Sequence, residues 1–268
     1  MKKIYKILGL LTITVSFSGN MEAAHHKDAL LDAVNNPDRN VKYSARDDFR
    51  NPYETLSFFQ IKPTMHVLEL SAGGGWYTEI LAPYLEPEGK LSVTHHNPEI
   101  GGYYERSRNS YDEKVKFNPL FKGVKVITAD VPPTMPFTKP ATQDLVVTFR
   151  NLHNWLSQDA MQTIMQEAYD SLKKGGHFGV VEHRAPEGSS LEFMQKSGYV
   201  TQSLAIKTAK EVGFELVASS EINANPKDTA DHPRGVWTLP PSFRLKDQDR
   251  AKYAAIGESD RMTLLFKK

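Results

Sequence analysis

The sequence predicts an α/β fold, a mostly parallel sheet with helices on both faces. Three observations carry the expectation. Short apolar runs recur along the chain, helical patterns separate them, and the first run opens onto the turn Ser71-Ala72-Gly73-Gly74-Gly75. Strands that alternate with helices at this spacing pair in parallel and need covering on both faces. The chain of 268 residues, 40% apolar and 24% charged, is long enough for a full core. Its 33 basic residues nearly balance 32 acidic ones, which removes the simplest electrostatic case for a nucleic-acid binder. The absence of cysteine excludes disulfides, Cys-ligated metals and thiol nucleophiles together.

The chain opens with Lys2, Lys3 and Lys6, then the apolar run Ile7 to Phe17, then small and polar residues through Ala23-Ala24. That order matches a secretory signal peptide, and the run is short of the roughly 20 residues a membrane span takes. Residues 1–24 are expected to be cleaved, after Ser18, Ala23 or Ala24. The product would be an exported protein, periplasmic or extracellular, with no stable membrane insertion. The removed segment carries three lysines and one glutamate, so the remainder is near neutral. Residues 25–62 read as a helical lead or lid. Ala29, Leu30, Ala33 and Val34 share a helix face, and Asn51-Pro52 caps a helix over Tyr53–Gln60.

Residues 63–268 read as the main domain. Strands are expected at Met65–Leu70, Leu91–Thr94, Gly123–Thr128, Asp144–Phe149, His177–Glu182, Phe214–Ser220 and Arg261–Phe266. Helices are expected at Trp76–Leu85, Ser157–Leu172 and Val200–Val212, the second closed by the turn Lys173-Lys174-Gly175-Gly176. Residues 97–122 and 223–243 read as long irregular stretches, which usually carry function or a lid.

In an open α/β sheet, ligands bind beyond the carboxyl ends of the strands, where strand order reverses. The residues after each strand are therefore the candidates. Three glycines let the backbone turn tightly and approach a ligand at a helix N-terminus, with Glu69 inside the strand before them. This favours a nucleotide-like ligand, although glycines at such a turn can serve packing alone. A dinucleotide fingerprint would need its third glycine at Thr78 and an acid where His95-His96-Asn97 stands, and both elements fail. His153 follows the fourth strand and His183 the fifth. Each is a candidate general base, or else a loop histidine held by a backbone hydrogen bond. Arg184 is placed to hold an anionic substrate or to pair with Glu182 or Glu187. Trp155 and Tyr77 read as core rather than as walls of a ligand site. No metal site is expected, because the pairs His25-His26 and His95-His96 diverge and no helical ligand spacing occurs among the nine histidines. No G-x-S-x-G elbow is present for a serine nucleophile.

Glu69-x-Ser71-Ala72-Gly73-Gly74-Gly75 resembles the first motif of class I S-adenosylmethionine-dependent methyltransferases. The likeness continues through Thr128-Ala129-Asp130, the stretch Asp144 to Trp155 and the turn Leu172 to Phe178, and covers about residues 50–268. More narrowly, GGGWYTEILAPYL, Glu182-His183-Arg184 and the stretch 225–228 resemble a group of exported predicted methyltransferases without assigned substrates. The resemblance implies a Rossmann-like fold, a seven-stranded sheet with an antiparallel C-terminal strand. It implies S-adenosyl-L-methionine as cofactor, bound by Glu69, Ser71, Gly73, Gly75, Asp130 and Asn151, with Asp130 reaching the adenine. His153 and His183 would be catalytic, and the acceptor a small molecule or envelope component. The acid that takes the ribose hydroxyls after the second strand in this family is missing. His95, His96 and Asn97 stand there, with Glu99 nearby, and neutral groups bind a diol without charge assistance. The Asn/Asp-Pro-Pro-Tyr motif of enzymes acting on amino groups is replaced by Arg150-Asn151-Leu152-His153, which argues against nucleic acid. The alternative reading is an exported protein of the same fold that binds a small ligand without methyl transfer.

Overall fold

The computed structural model describes residues 29–268. The candidate signal peptide, its cleavage sites and the start of the lead lie outside the described residues. Residues 29–34 form helix α1, followed by α2 (Val41–Ser44), α3 (Asp47–Arg50) and α4 (Pro52–Phe58). The chain then runs through β1 (His66–Leu70), α5 (Thr78–Leu85), β2 (Lys90–His96), α6 (Gly102–Phe117), β3 (Lys125–Ala129) and β4 (Gln143–Phe149). It continues through α7 (Leu152–Ser157), α8 (Met161–Ser171), β5 (Leu172–Ala185), α9 (Leu191–Ser197) and β6 (Val200–Thr201). It closes with α10 (Gln202–Val212), β7 (Glu215–Ser220), α11 (Arg250–Ile256) and β8 (Arg261–Lys267).

The sheet order is β3–β2–β1–β4–β5–β8–β7, with β6 beside the end of β5. The strands from β3 to β5 pair in parallel, and β8 runs antiparallel between β5 and β7. Strand order therefore reverses between β1 and β4, which opens a crevice above their carboxyl ends. Side chains alternate across the strands and build two cores. Leu68, Leu70, Val146 and Phe178 meet Trp155 and Met165 on one face; Val67, Val147 and Val181 meet Ile80 and Phe121 on the other. The lead joins the second core through Leu30, Val34, Leu56 and Phe59. Full burial of each contributes about 1.5–3 kcal/mol relative to exposure, which makes the lead a fixed wall of the domain.

Four differences from the sequence expectation have physical causes. The stretch 97–122 is not irregular, because it contains the 16-residue helix α6. Only Tyr111 of that helix is buried, so it carries no apolar stripe for a periodicity argument to find. The helix expected over 157–172 starts later, at Met161, because Asp159 takes a left-handed φ of 53° and separates it from the short helix α7 before it. Asn51 precedes Pro52 as expected but does not cap with its side chain, which donates to the Ile222 carbonyl at 2.8 Å. The sheet has eight strands rather than seven. The extra strand, β6, is two residues long and ends on Thr201, whose side chain also caps α10, so in sequence it reads as the helix start.

Candidate active site

Above the ends of β1, β4 and β5 lies a cavity of about 370 Å³, within the usual range for small-molecule sites. Tyr43, Arg46 and Arg50 from the lead wall one side, and Ser71, Gly73 and Gly74 form the rim beyond β1. Arg150, Asn151 and His153 follow β4, and His183 lies near the end of β5. Trp237, Pro240 and Pro241 from the stretch 223–243 also line it. Two non-glycine residues on this rim, Ser71 and Arg150, hold left-handed φ values of 52° and 63°. Such strain persists only where surrounding contacts enforce it, and each of the two directly follows a central strand, Ser71 after β1 and Arg150 after β4.

The glycine turn is pinned by side chains from the lead, α6 and β2. Lys114 on α6 and the Tyr43 hydroxyl donate to the Gly74 carbonyl at 2.6 and 2.8 Å. His95 Nδ1 accepts from the His96 backbone N–H, which leaves Nε2–H to donate to the Gly73 carbonyl at 3.0 Å. Burial lowers the His95 pKa to about 4, so the ring stays neutral and keeps this tautomer. The three glycines divide by role. Gly73 lines the cavity with φ 58°, and a Cβ there would meet nothing closer than the Ser71 carbonyl oxygen at 3.9 Å. Gly75 has φ 82°, and a Cβ there would lie 2.8 Å from the Phe121 ring. Gly75 therefore serves packing, and Gly73 borders the open cavity.

Two histidines meet around a buried carboxylate. Glu182 is wholly buried and accepts from the backbone N–H groups of Leu152, His153 and His183. Its fourth donor is His153 Nδ1 at 3.0 Å. The carboxylate thus sits at the N-terminus of α7, where a negative charge is favoured, and fixes the His153 ring with Nε2 as its unbonded nitrogen. The His153 and His183 rings lie 5.4 Å apart, and Ser259 bonds His183 Nδ1. Burial first, then the neighbouring His153, Arg261, Arg150 and Arg50, holds His183 well below the usual histidine range, so it is neutral. His153, Glu182 and His183 also place potential metal-ligand atoms within 4.8 Å of one another. The Glu182 oxygens are already taken by four donors, however, and the group reads as a hydrogen-bonded imidazole–carboxylate pair.

Solved structures share this architecture. A S-adenosylmethionine-dependent methyltransferase from Aquifex aeolicus is similar with a TM-score of 0.56 and 15% identity, over 83% of this chain and 92% of its own. A methyltransferase assigned as putative from Bacillus halodurans gives 0.52 and 17%, over 82% and 99%. This chain has the S-adenosylmethionine-dependent methyltransferase fold. The [4+2]-cyclase SpnF is similar too, with a TM-score of 0.55 and 15% identity over 92% of this chain and 94% of that one, so the fold hosts more than one chemistry. No protein-family model matches the sequence, and no curated protein matches it.

Within the methyltransferase fold the remaining candidates separate. Ser71 and Asn151 line the cavity, and Asn151 Nδ2 donates to the carbonyls of Leu70 and Ser71, tying the end of β4 to that of β1. Asp130 lies outside the cavity, beyond β3, where Thr134 and then Asn97 donate to it and hold its carboxyl below the ordinary range. Glu99 is exposed and away from the cavity. Trp155 and Tyr77 are core, the latter stacked on Phe149 at 3.4 Å. Arg184 pairs with Asp260 and Glu221, not with Glu182 or Glu187, and faces away from the cavity. No helix among the described residues is long and apolar enough to cross a membrane.

Glu69 lies behind the turn, accepting from Thr78 at 2.7 Å. Burial raises its pKa to about 8, so it is protonated at neutral pH. The unfolded value is about 4.3, so the native state binds the extra proton between these limits and stability falls as pH rises through them. Glu69→Gln keeps the neutral shape and the acceptor. Its thermal midpoint relative to wild type is expected to climb from pH 5 to pH 8; parallel midpoints would contradict a protonated Glu69.

Proposed function

We propose that this protein transfers a methyl group from S-adenosyl-L-methionine to a small molecule or envelope component. The observation that carries the reading is the meeting, in one cavity at the strand-order reversal, of an open glycine turn and a carboxylate-held histidine. The cavity suits the donor, because Gly73 leaves the space beside its Cα clear and Ser71 and Asn151 flank it. Those three would hold the donor, with Asp130 at its adenine end. When bound, S-adenosylmethionine supplies a methyl group on a sulfonium that is already a good leaving group.

The protein's work is then positioning and proton removal. His153 Nε2 is the base: Glu182 orients the ring and supplies a counter-charge to an arriving proton. His183 is the poorer base, since three arginines near it oppose a positive ring, and it serves as a neutral hydrogen-bonding wall. Trp237 and the two prolines keep water from the reacting atoms. The basic, apolar start of the chain supports export, which would put this chemistry outside the cytoplasm.

Calorimetry with S-adenosylhomocysteine on two glycine variants tests the reading. Gly73→Val puts a β-branched residue at positive φ with its side chain in the ligand space, at a strain cost of about 1–2 kcal/mol or more. It is expected to fold and to lose nucleoside binding. Gly75→Val drives a side chain into Phe121 and is expected to lose thermal stability first. Wild-type affinity in a folded Gly73→Val protein would refute the proposed function.

A further inference from the structure

Among the described residues four arginines line the cavity, Arg46, Arg50, Arg150 and Arg261, and the only acidic residue in the lining is Glu258. Glu258 pairs with Arg46, Arg50 and Arg261 and is shared out among them. That leaves Arg46 Nη2, both Nη1 and Nη2 of Arg50, and Arg261 Nε buried with no acceptor. Arg50 is only 2% exposed. Its guanidinium lies 4.6 Å over the Trp76 ring, a face that attracts the charge but accepts none of these N–H groups in the usual way. Arg150 makes no side-chain ion pair among the described residues and keeps its strained backbone at the cavity rim. Buried charged donors without acceptors are costly, and natural proteins keep few of them. The cluster has the composition of an oxyanion site, for which planar, multidentate guanidinium donors are suited.

We infer that these arginines bind an oxyanion, a phosphate or carboxylate, carried by the methyl acceptor. The inference rests on the methyl-transfer reading for its assignment to the acceptor. Position favours that assignment. Arg261 is the residue directly opposite His183 across the β5–β8 pair, and Ser259, two residues before it, bonds the His183 ring. The cluster therefore faces the histidine side of the cavity, where the acceptor must lie for His153 to reach its proton. The oxyanion is an anchor and takes no part in bond making.

The test titrates inorganic phosphate, and separately acetate, into the purified protein, alone and with saturating S-adenosylhomocysteine. At least one anion is expected to bind in both conditions. Arg150→Met is expected to weaken it about ten- to a hundredfold, the usual range for losing a charge-assisted hydrogen bond, and to leave S-adenosylhomocysteine affinity unchanged. Because burial and the neighbouring Arg261 outweigh the pull of Glu258 on Arg150, its removal is also expected to raise the thermal midpoint in anion-free buffer; a merely structural arginine would lower it. Arg50→Lys, which keeps one charge but loses the planar fork, is expected to weaken the anion without unfolding the protein. No anion binding by wild type, or binding unchanged in both variants, overturns the inference. Displacement of the anion by S-adenosylhomocysteine, with nucleoside affinity lost in Arg150→Met, overturns the assignment to the acceptor and gives the site to the donor's own carboxylate. Anion binding to a protein that binds no S-adenosylhomocysteine upholds the oxyanion site and overturns the methyl-transfer reading instead.

Discussion

Replacing His153 with Ala is expected to lower methyl-transfer turnover by about 10²–10⁴-fold, the range a positioned general base supplies. Affinity for S-adenosylhomocysteine should be nearly unchanged, because the ring bonds Glu182 and not the glycine turn. The distinction matters, since a misplaced donor would lower affinity and rate together. His183→Asn is expected to lose less, because a neutral hydrogen-bonding group survives at that place. Single-turnover rates with a saturating acceptor would measure both. A His153→Ala enzyme at wild-type rate would remove the base from the mechanism and leave positioning alone.

Glu258→Gln is expected to be the most destabilising single change at the site. The carboxylate is 3% exposed and is the counter-charge to Arg46, Arg50 and Arg261. Removing one partner of a buried ion pair costs about 3–5 kcal/mol. In a domain of this size that is a fall of about 6–20 °C in thermal midpoint. Burial alone would raise the Glu258 pKa, but Arg261, Arg50 and Arg46 outweigh it and hold it at about 2. The folded pKa is thus depressed, so the stabilisation is present above about 4.3 and is lost as pH falls toward 2. Wild type should show this acid-induced loss, and Glu258→Gln should show much less of it. Equal acid sensitivity would place the stabilising interactions elsewhere.

The fold was largely legible because its central strands are continuous apolar runs closed by turn residues, as strands buried on both faces must be. Helix α6 was not, since its support comes from polar contacts: Arg108 pairs with Asp112, and Lys114 reaches Gly74. His153 and His183 were found by one rule, that chemistry gathers after parallel strands. Their carboxylate was missed. The acid in the run Gly179-Val-Val-Glu182 carries a signal, since a buried strand rarely holds an unpaired carboxyl, but in sequence the neighbouring Arg184 offers itself as one possible partner for it. The arginine cluster had almost none. Arg46 and Arg261 stand at opposite ends of the described chain, and only the packing of the lead against β8 brings them to one carboxylate. The three glycines looked equivalent in sequence, and only the positions of Phe121 and Tyr111 separate Gly75 from Gly73.

A crystal structure of the protein with S-adenosylhomocysteine tests the central claim most directly. The ligand is expected in the cavity at the ends of β1 and β4, its amino-acid end against Gly73 and Asn151 and its thioether toward His153, with space left beside the arginines for the acceptor. Ligand density outside this cavity, or none at concentrations saturating for methyltransferases of this fold, would contradict it.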